Sequence, residues 1–198
     1  MKKNLLISIL MTIVTTILLG IIYPLVVTGL AQLFFKDKAN GQLIVQNGQV
    51  IGSRIIGQAF TGPGYFHSRP SNAGTGYDAA NSNGSQLGPT NHALIDRVTA
   101  GVAANQADSP GQPVPIDLVT QSGSGLDPDI TPAAAEFQIL RVAKERGTNR
   151  EQLQQLIAKH SEGRQLGFLG EPRVNVLELN LELDQRFPMR KQAQAIPQ

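Results

Sequence analysis

The sequence predicts a single N-terminal transmembrane helix followed by one α/β (α+β) extracytoplasmic domain with a small mixed sheet and about three helices. Three observations predict it. Residues Leu5 to Phe35 run for 31 positions without a charged side chain. After them, helix start and stop signals alternate with short apolar runs of strand pattern. The remaining residues, about 160, suffice for one ordinary core. The chain is therefore read as an anchor over 1–36, a soluble α/β domain over 37–185 and a polar C-terminal tail over 186–198.

At about 1.5 Å rise per residue, the uncharged segment is longer than the roughly 30 Å hydrocarbon core of a bilayer. It can span a membrane, with tilt or with a protruding end. A cleaved secretory signal is the alternative: Lys2 and Lys3 form a basic start, and Gly29-Leu30-Ala31 offers a small-x-small cleavage pattern. Signal cores, however, run only about 7–15 residues. Both readings export the body. Lys2, Lys3 and the terminal amine favour a cytoplasmic N-terminus, against Lys36 and Lys38 on the other flank. One helix cannot enclose a polar pathway, so any transport role would be accessory to a larger partner.

Ser8, Thr12, Thr16, Gly20, Pro24 and Thr28 recur at every fourth position. Such a stripe lets helix backbones approach closely in lipid, which makes Ser8, Thr12, Thr16 and Gly20 candidate partner contacts. The alternative is that the hydroxyls bond back to their own helix carbonyls. Pro24 is expected to kink or fray the helix.

Composition narrows the function classes. With Lys2 and Lys3 set aside from the 17 Lys and Arg, the remaining cations match the 15 Asp and Glu, so the body is formally neutral. Nucleic-acid binding needs a basic face and is not expected. The absence of cysteine excludes disulfides, thiolate metal sites and thiol catalysis. Tryptophan is also absent and aromatics make up only 5% of the chain, so the core must be mainly aliphatic.

Along the body, Leu43-Ile44-Val45-Gln46 and Gln49-Val50-Ile51 flank Asn47-Gly48, a strong hairpin signal. Arg54 to Gln58 is expected to extend that sheet. Thr61 to Asn91 is rich in Gly, Ser, Asn, Pro and Thr, yet carries Tyr65, Phe66, His67, Arg69 and Tyr77, so an ordered functional loop is expected. A helix follows over about Asn91 to Asn105. Pro110, Pro113 and Pro115 enforce an extended linker, and Ile116 to Thr120 reads as a short strand. Thr131 and Pro132 start a helix that Gly147 ends. Thr148 and Glu151 form a capping box for the next, which Gly163 closes. In Val174 to Leu183, Leu177, Leu179, Leu181 and Leu183 alternate with polar residues, predicting a strand with a bulge or crossing near Val176.

Few residues carry chemistry. No phosphate-binding Gly-x-x-x-x-Gly-Lys-Ser/Thr is present. His67, His92 and His160 lack ligand spacing, so no metal site is expected. His67 could serve an anchored exported hydrolase together with an Asp and a Ser, or could be a hydrogen-bonded loop residue. Asp127 and Asp129 could be an acid–base pair, or caps and turn formers in Gly-Leu-Asp-Pro-Asp. Gln121, Ser122, Gly123, Ser124 and Gly125 could cradle an anion through backbone N–H groups, or form a flexible turn.

Several segments, taken in order, carry a resemblance. They are Gly57-Gln58-Ala59-Phe60, Tyr65-Phe66-His67-Ser68-Arg69-Pro70-Ser71, Asp117-Leu118-Val119-Thr120, Ser122-Gly123-Ser124-Gly125-Leu126-Asp127-Pro128, and Gly167-Phe168-Leu169-Gly170-Glu171-Pro172-Arg173-Val174-Asn175-Val176-Leu177. With the single anchor, they resemble the KdpC family, the small subunits of bacterial potassium-importing P-type ATPases. The tail beyond Asp184 departs from that pattern by its length. The resemblance implies a bacterial inner-membrane complex with a channel-like subunit, an ATPase subunit and a small membrane peptide as partners. It also implies a chaperone role that raises the ATPase subunit's nucleotide affinity. ATP contact is carried over onto Gln121, Ser122, Gly123, Ser124 and Gly125 only, and no cofactor is expected on the chain alone. Catalysis is not expected: Asp37-Lys38-Ala39-Asn40 shares only two letters with the Asp-Lys-Thr-Gly phosphorylation motif. A body outside the cytoplasm meets no ATP, and the topology favours instead a cap on the outer face of the channel-like subunit that the resemblance implies, with Tyr65, Phe66, His67 and Arg69 and the Ser122–Asp127 turn as candidate partner contacts. A free-standing exported binding module is a third reading.

Overall fold

A computed structural model describes residues 1–189, which divide after Ser53 into two compact units. The first begins with one 33-residue helix, Lys2–Phe34, the only one among the described residues long and apolar enough to cross a membrane. It comprises α1 (Lys2–Thr15), a π-helical stretch (Thr16–Ile22) and α2 (Tyr23–Phe34). Pro24 does not break it. Proline lacks an N–H and its ring crowds the carbonyl four residues back. The wide turns sit just where that crowding falls, and the Tyr23 N–H donates to Leu18, five residues back.

The π stretch also straightens the small-residue stripe. Four residues overshoot a 3.6-residue α turn, whereas they fall short of a wider π turn. The step from Thr16 to Gly20 therefore reverses the drift built up from Ser8 to Thr16. Ser8 and Thr12 hydroxyls donate to the Leu5 and Ser8 carbonyls at 2.9 and 2.8 Å. Their hydrogen bonding is met within the helix, and only their small size faces outward.

Phe35 leaves the helical region, and a single turn, α3 (Lys36–Ala39), follows. Paired side-chain amides of Gln32 and Asn40, 3.2 and 3.4 Å apart, tie that turn to the end of α2. Gly41 and Gln42, both at positive φ, lead into the hairpin β1 (Leu43–Gln46) and β2 (Gln49–Ser53). Asn47 and Gly48 adopt the left-handed conformations that a tight two-residue turn requires. The Ser53 hydroxyl donates to the Gly41 carbonyl at 2.6 Å and closes the unit. Arg54 to Gln58 does not extend the sheet but passes into turns.

In the second unit, the long segment before Asn91 is irregular, as expected. α4 (His92–Asp108) is capped by the Asn91 side chain and buries no residue. The expected strand at Ile116–Thr120 is instead a 3-10 turn over Ile116–Leu118. Its cause is Asp117, whose buried carboxylate accepts the Thr131 N–H at 2.6 Å and curls the chain toward the next helix start. β3 (Asp129–Ile130) leads into α5 (Pro132–Arg146), capped by Thr131 and ended by Gly147 at φ 64°. α6 (Arg150–His160) is capped by Asn149, one residue after the expected Thr148, whose hydroxyl instead reaches the Gln152 side chain at 2.6 Å. It ends at His160, because Ser161–Glu162 forms β4 before Gly163 is reached.

The expected strand over Val174–Leu183 is overturned. β5 covers only Arg173–Asn175, and α7 runs over Val176–Arg186. Asn175 caps α7 by accepting the Glu178 N–H at 3.1 Å. Val176, Leu179, Asn180 and Leu183 then fall on one buried helical face, so alternation of leucines coexisted with a helical period. Strand order is β3-β5-β4, and every pairing among the described residues is antiparallel rather than mixed. Four helices longer than two turns, not about three, pack in this unit.

The core gathers Phe66, Ile130, Ile139, Val142, Leu153, Leu156, Val174, Val176, Leu179 and Leu183, almost wholly aliphatic. The polar tail begins in contact with the body: Phe187 packs on this core, and its carbonyl accepts from Arg146 at 3.0 Å. Residues 190–198 lie outside the described part.

Candidate functional site

The loop from Pro63 to Ser71 is held from behind by helices α5 and α7. Asn180 of α7 pairs bidentately with Phe66: it accepts the Phe66 N–H at 2.9 Å and donates to the Phe66 carbonyl at 2.9 Å. Gln138 of α5 does the same for the next residue, accepting the His67 N–H at 2.7 Å and donating to its carbonyl at 3.1 Å. Side-chain amides thus replace a neighbouring strand. Asn180 and Gln138 are both buried, where an unpaired amide would be costly, so these bonds fix the loop's path.

Two arginines on α5 complete the clamp. Arg141 donates to the Pro63 and Tyr65 carbonyls at 2.6 and 2.9 Å and pairs with Asp108 at 3.0 Å. Arg146, whose side chain is fully buried, donates to the Gly64 carbonyl and to Asp184, each at 2.7 Å. Its guanidinium lies 4.6 Å from the Tyr65 ring centre, and the Tyr65 hydroxyl reaches Asp184 at 3.1 Å. Phe66 is 0% exposed, so it anchors the loop and offers no atoms to a partner.

Arg69 joins this loop to the Ser/Gly turn. Its guanidinium bonds Asp127 at 3.1 Å and the Thr120 and Gln121 carbonyls at 3.3 Å each, while Tyr77 donates its hydroxyl to the Arg69 carbonyl. The Ser71 hydroxyl reaches the Gly125 carbonyl at 2.6 Å, and the Gly57 N–H donates to Leu126 at 2.8 Å. A Cβ at Gly57 would lie 2.5 Å from the Asp127 carbonyl, which is why glycine stands there. The separated segments of the sequence resemblance are therefore one contiguous network.

Within the turn, Ser122 and Ser124 accept the Gly125 and Leu126 N–H groups at 2.9 and 3.1 Å. One of the donors expected to face an anion, the Gly125 N–H, is thus paired internally. Gly125 is at φ 68°, and a Cβ there would lie 2.6 Å from the Asn83 carbonyl. Gly123, by contrast, has nothing within 4 Å. Beside it, Gln121, Ser122 and Gly123 share with Ser82 to Gln86 an open cleft of about 440 Å³.

His67 lies in the clamp, but nothing there supports a hydrolase. Its Nε2 faces the Gly62 carbonyl at 3.0 Å, an acceptor only, so that nitrogen carries the proton. No serine or aspartate hydrogen bond reaches the ring among the described residues. Burial, aided by the Arg141 charge, holds its pKa below the usual histidine value. Asp127 caps its own turn by accepting the Asp129 N–H at 3.1 Å. Asp129 has its pKa raised by burial against the opposing pull of Arg173. No group of three carboxylate or histidine side chains could hold a metal among the described residues.

Asn180, Gln138, Arg141 and Arg146, which build the clamp, were not among the sequence-derived candidates. A usable signal existed in α5: Gln138 interrupts an otherwise apolar face formed by Ala134, Ala135, Ile139 and Val142.

An apolar N-terminal helix long enough to cross a membrane, and a body whose notable polar groups hold its own loops in place, define the class as a membrane-anchored protein. A family profile described as KdpC, K+-transporting ATPase, c chain, matches residues 5–185. The "Potassium-transporting ATPase KdpC subunit" of Koribacter versatilis is 68% identical over 189 residues, covering 96% of this chain and 98% of the relative. Those of Acidobacterium capsulatum and Rhodospirillum rubrum are 59% and 57% identical, covering 90% and 88% of this chain and 96% and 91% of the relatives. The chain belongs to the KdpC family of potassium-transporting ATPase subunits.

Proposed function

We propose that this chain is a non-catalytic subunit that holds an ATP-driven potassium importer together from outside the cytoplasm. The observation that carries the reading is the family match, which runs through anchor and body as one stretch, residues 5–185. The anchor's stripe at Ser8, Thr12, Thr16 and Gly20 packs against helices of a channel-like subunit. The body rests on that subunit's outer face through the Tyr65–Pro70 loop, with His67 and Arg69 at its rim, and through the Ser122–Asp127 turn. Partners are the channel-like subunit, the ATP-hydrolysing subunit and a small membrane peptide, in a bacterial inner membrane. Rigidity is what the geometry contributes: a loop fixed by two amides and two arginines meets a partner with little ordering left to lose.

A second reading has direct ATP contact at Gln121, Ser122, Gly123, Ser124 and Gly125, raising the ATPase subunit's nucleotide affinity. The cleft beside Gly123 supports it; the internal pairing of the Gly125 and Leu126 N–H groups weighs against it. Purifying the complex with wild-type and anchor-deleted chain in gentle detergent tests the first reading. Assembly should be lost with the anchor, and intact assembly without it would overturn the anchor's role. Gly123→Leu in the assembled complex tests the second: unchanged ATP affinity would reject it.

A further inference from the structure

The tripeptide Asn-Gly-Gln stands twice in this chain, at residues 40–42 and 47–49, and a third Asn-Gly step lies at 83–84. Asparagine is a thermolabile residue, and a following glycine makes it more so, because no Cβ hinders the glycine nitrogen from reaching the asparagine side chain. Local sequence gives the first two steps the same intrinsic lability. The fold does not treat them alike.

Asn40 is held at both ends. Its Nδ2 donates to the Lys36 carbonyl at 2.7 Å and to the Gln32 Oε1 at 3.4 Å, while its Oδ1 accepts from Gln32 at 3.2 Å. The nitrogen that would attack, that of Gly41, donates to the Lys38 carbonyl at 3.1 Å, and the Gly41 carbonyl takes the Ser53 hydroxyl. Asn83 is held as firmly. Its N–H donates to the Ser124 carbonyl and its Oδ1 accepts from Gln86, each at 2.9 Å, while Asn72 donates to the Gly84 carbonyl at 3.1 Å. Gly84 also lies against Gly123, whose carbonyl a Cβ there would meet at 2.8 Å. Neither segment can swing without breaking several bonds.

Asn47 has none of these restraints. Among the described residues, no hydrogen bond holds its side chain, and the Gly48 N–H donates to no carbonyl. Both residues are exposed, and nothing lies within 4 Å of a Cβ placed on Gly48. They form the turn of a hairpin that no third strand joins, and a two-stranded hairpin alone is marginal in water. Local opening there is easy, and opening supplies the backbone rotation that lets the Gly48 nitrogen approach the Asn47 side chain.

We infer that Asn47 is a site of spontaneous deamidation, the open member of three Asn-Gly steps, and that its modification opens the β1–β2 hairpin. The Gly48 nitrogen gives up its proton and attacks Asn47 Cγ. The new C–N bond closes a succinimide ring, and the side-chain nitrogen leaves as ammonia with that proton. Water then splits one of the two ring C–N bonds, its hydroxyl going to carbon and its hydrogen to nitrogen. Cleavage at the side-chain carbonyl leaves aspartate; cleavage at the main-chain carbonyl leaves isoaspartate, whose main chain is one methylene longer. Nothing is oxidised or reduced. Aspartate keeps the turn, since it tolerates the left-handed conformation that Asn47 holds at φ 52°. Isoaspartate does not: with an extra main-chain atom, the turn no longer sets the Gln46–Gln49 and Val45–Val50 pairings. The reaction needs only this turn and water, whatever the chain assembles with.

The test uses the full chain, purified in gentle detergent with any subunits that accompany it and aged in mildly alkaline buffer. Peptide fragmentation mass spectrometry locates each deamidation by its gain of one mass unit. Asn47 is expected to convert at least fivefold faster than Asn40 and Asn83, and any smaller ratio overturns the site. In the same chain unfolded in urea, the Asn40 and Asn47 rates should converge to within twofold. A larger difference persisting there assigns the lability to sequence alone and overturns the role of the turn. Isoaspartate is read by labelling with an isoaspartyl methyltransferase, and Asn47→Ser should remove most of the label; label that persists places the site elsewhere. Hydrogen exchange then compares fresh and aged chain. Hairpin amides of the isoaspartate form should exchange at least threefold faster, with α5 unchanged, and a smaller change overturns the opening.

Discussion

The two units of the chain use the same kind of residue in opposite ways. From Met1 to Ser53 only Ser53 is buried, although leucine, isoleucine and valine dominate. In the body, Phe66, Leu153, Leu179 and Leu183 are completely enclosed. Apolar side chains in the body face one another, so its stability is intrinsic. Those in the anchor unit face whatever surrounds them, so its stability comes from lipid and neighbours. The division after Ser53 therefore separates a unit that encloses no apolar side chain from one built around a core, and it can be probed from either side.

The largest effect should come from the enclosed side. Leu179→Ala is expected to destabilise the body by about 3 kcal/mol, through lost burial and the cavity left behind. Leu19→Ala in the exposed π stretch should change the same unfolding transition by less than about 0.5 kcal/mol. Chemical denaturation of both variants measures this, and equal shifts would break the contrast. Next comes Asn180→Ala, which leaves the Phe66 N–H and carbonyl buried and unpaired. A loss of about 2 kcal/mol is expected, with Asn180→Gln failing to restore it because its longer arm misplaces the amide.

A smaller, pH-dependent effect belongs to Glu182, which receives Lys159, His160 and Arg186. The Lys159 hydrogen bond first, with His160 and Arg186 assisting, holds its pKa down at about 2. A depressed carboxylate contributes stability that is fully present above its unfolded pKa and is lost as pH falls from there toward about 2. Wild type should therefore exceed Glu182→Gln by about 1 kcal/mol at pH 7, with the gap closing below about pH 4. A gap unchanged at pH 3 would remove Glu182 from the account. Smallest of all is Gly123→Ala, expected to shift stability by less than about 0.5 kcal/mol. Its neighbour Gly125→Ala, forced into positive φ against Asn83, should cost more, and thermal melts of the two separate a structural glycine from a free one.

The sequence announced the anchor, the Asn47-Gly48 hairpin, α4 and α5 because each depends on local chemistry: charge exclusion, turn conformers and caps. It failed at Val174–Leu183, where both periods are written in the same residues and only Asn175, acting as a cap, decides between them. It failed again at Ile116–Thr120, because the turn there depends on Asp117 finding Thr131, 14 residues away. The site was half legible. Tyr65 to Arg69 stood out by composition, but Asn180 bonds Phe66 across 114 positions, and Gln138 bonds His67 across 71. Neither partnership has a local signal. The expectation that the Ser122–Gly125 donors face outward missed that Ser122 itself takes the Gly125 N–H.

The amide pairs on Phe66 and His67 carry one more consequence. A loop on a protein surface normally trades its backbone protons with water quickly, through small local openings. Here the Phe66 and His67 N–H groups are held by side chains rooted in α5 and α7, so the exchange of those protons requires the two helices to part. In deuterated water this irregular segment should keep two slow protons among fast neighbours, timed by the opening of the whole core.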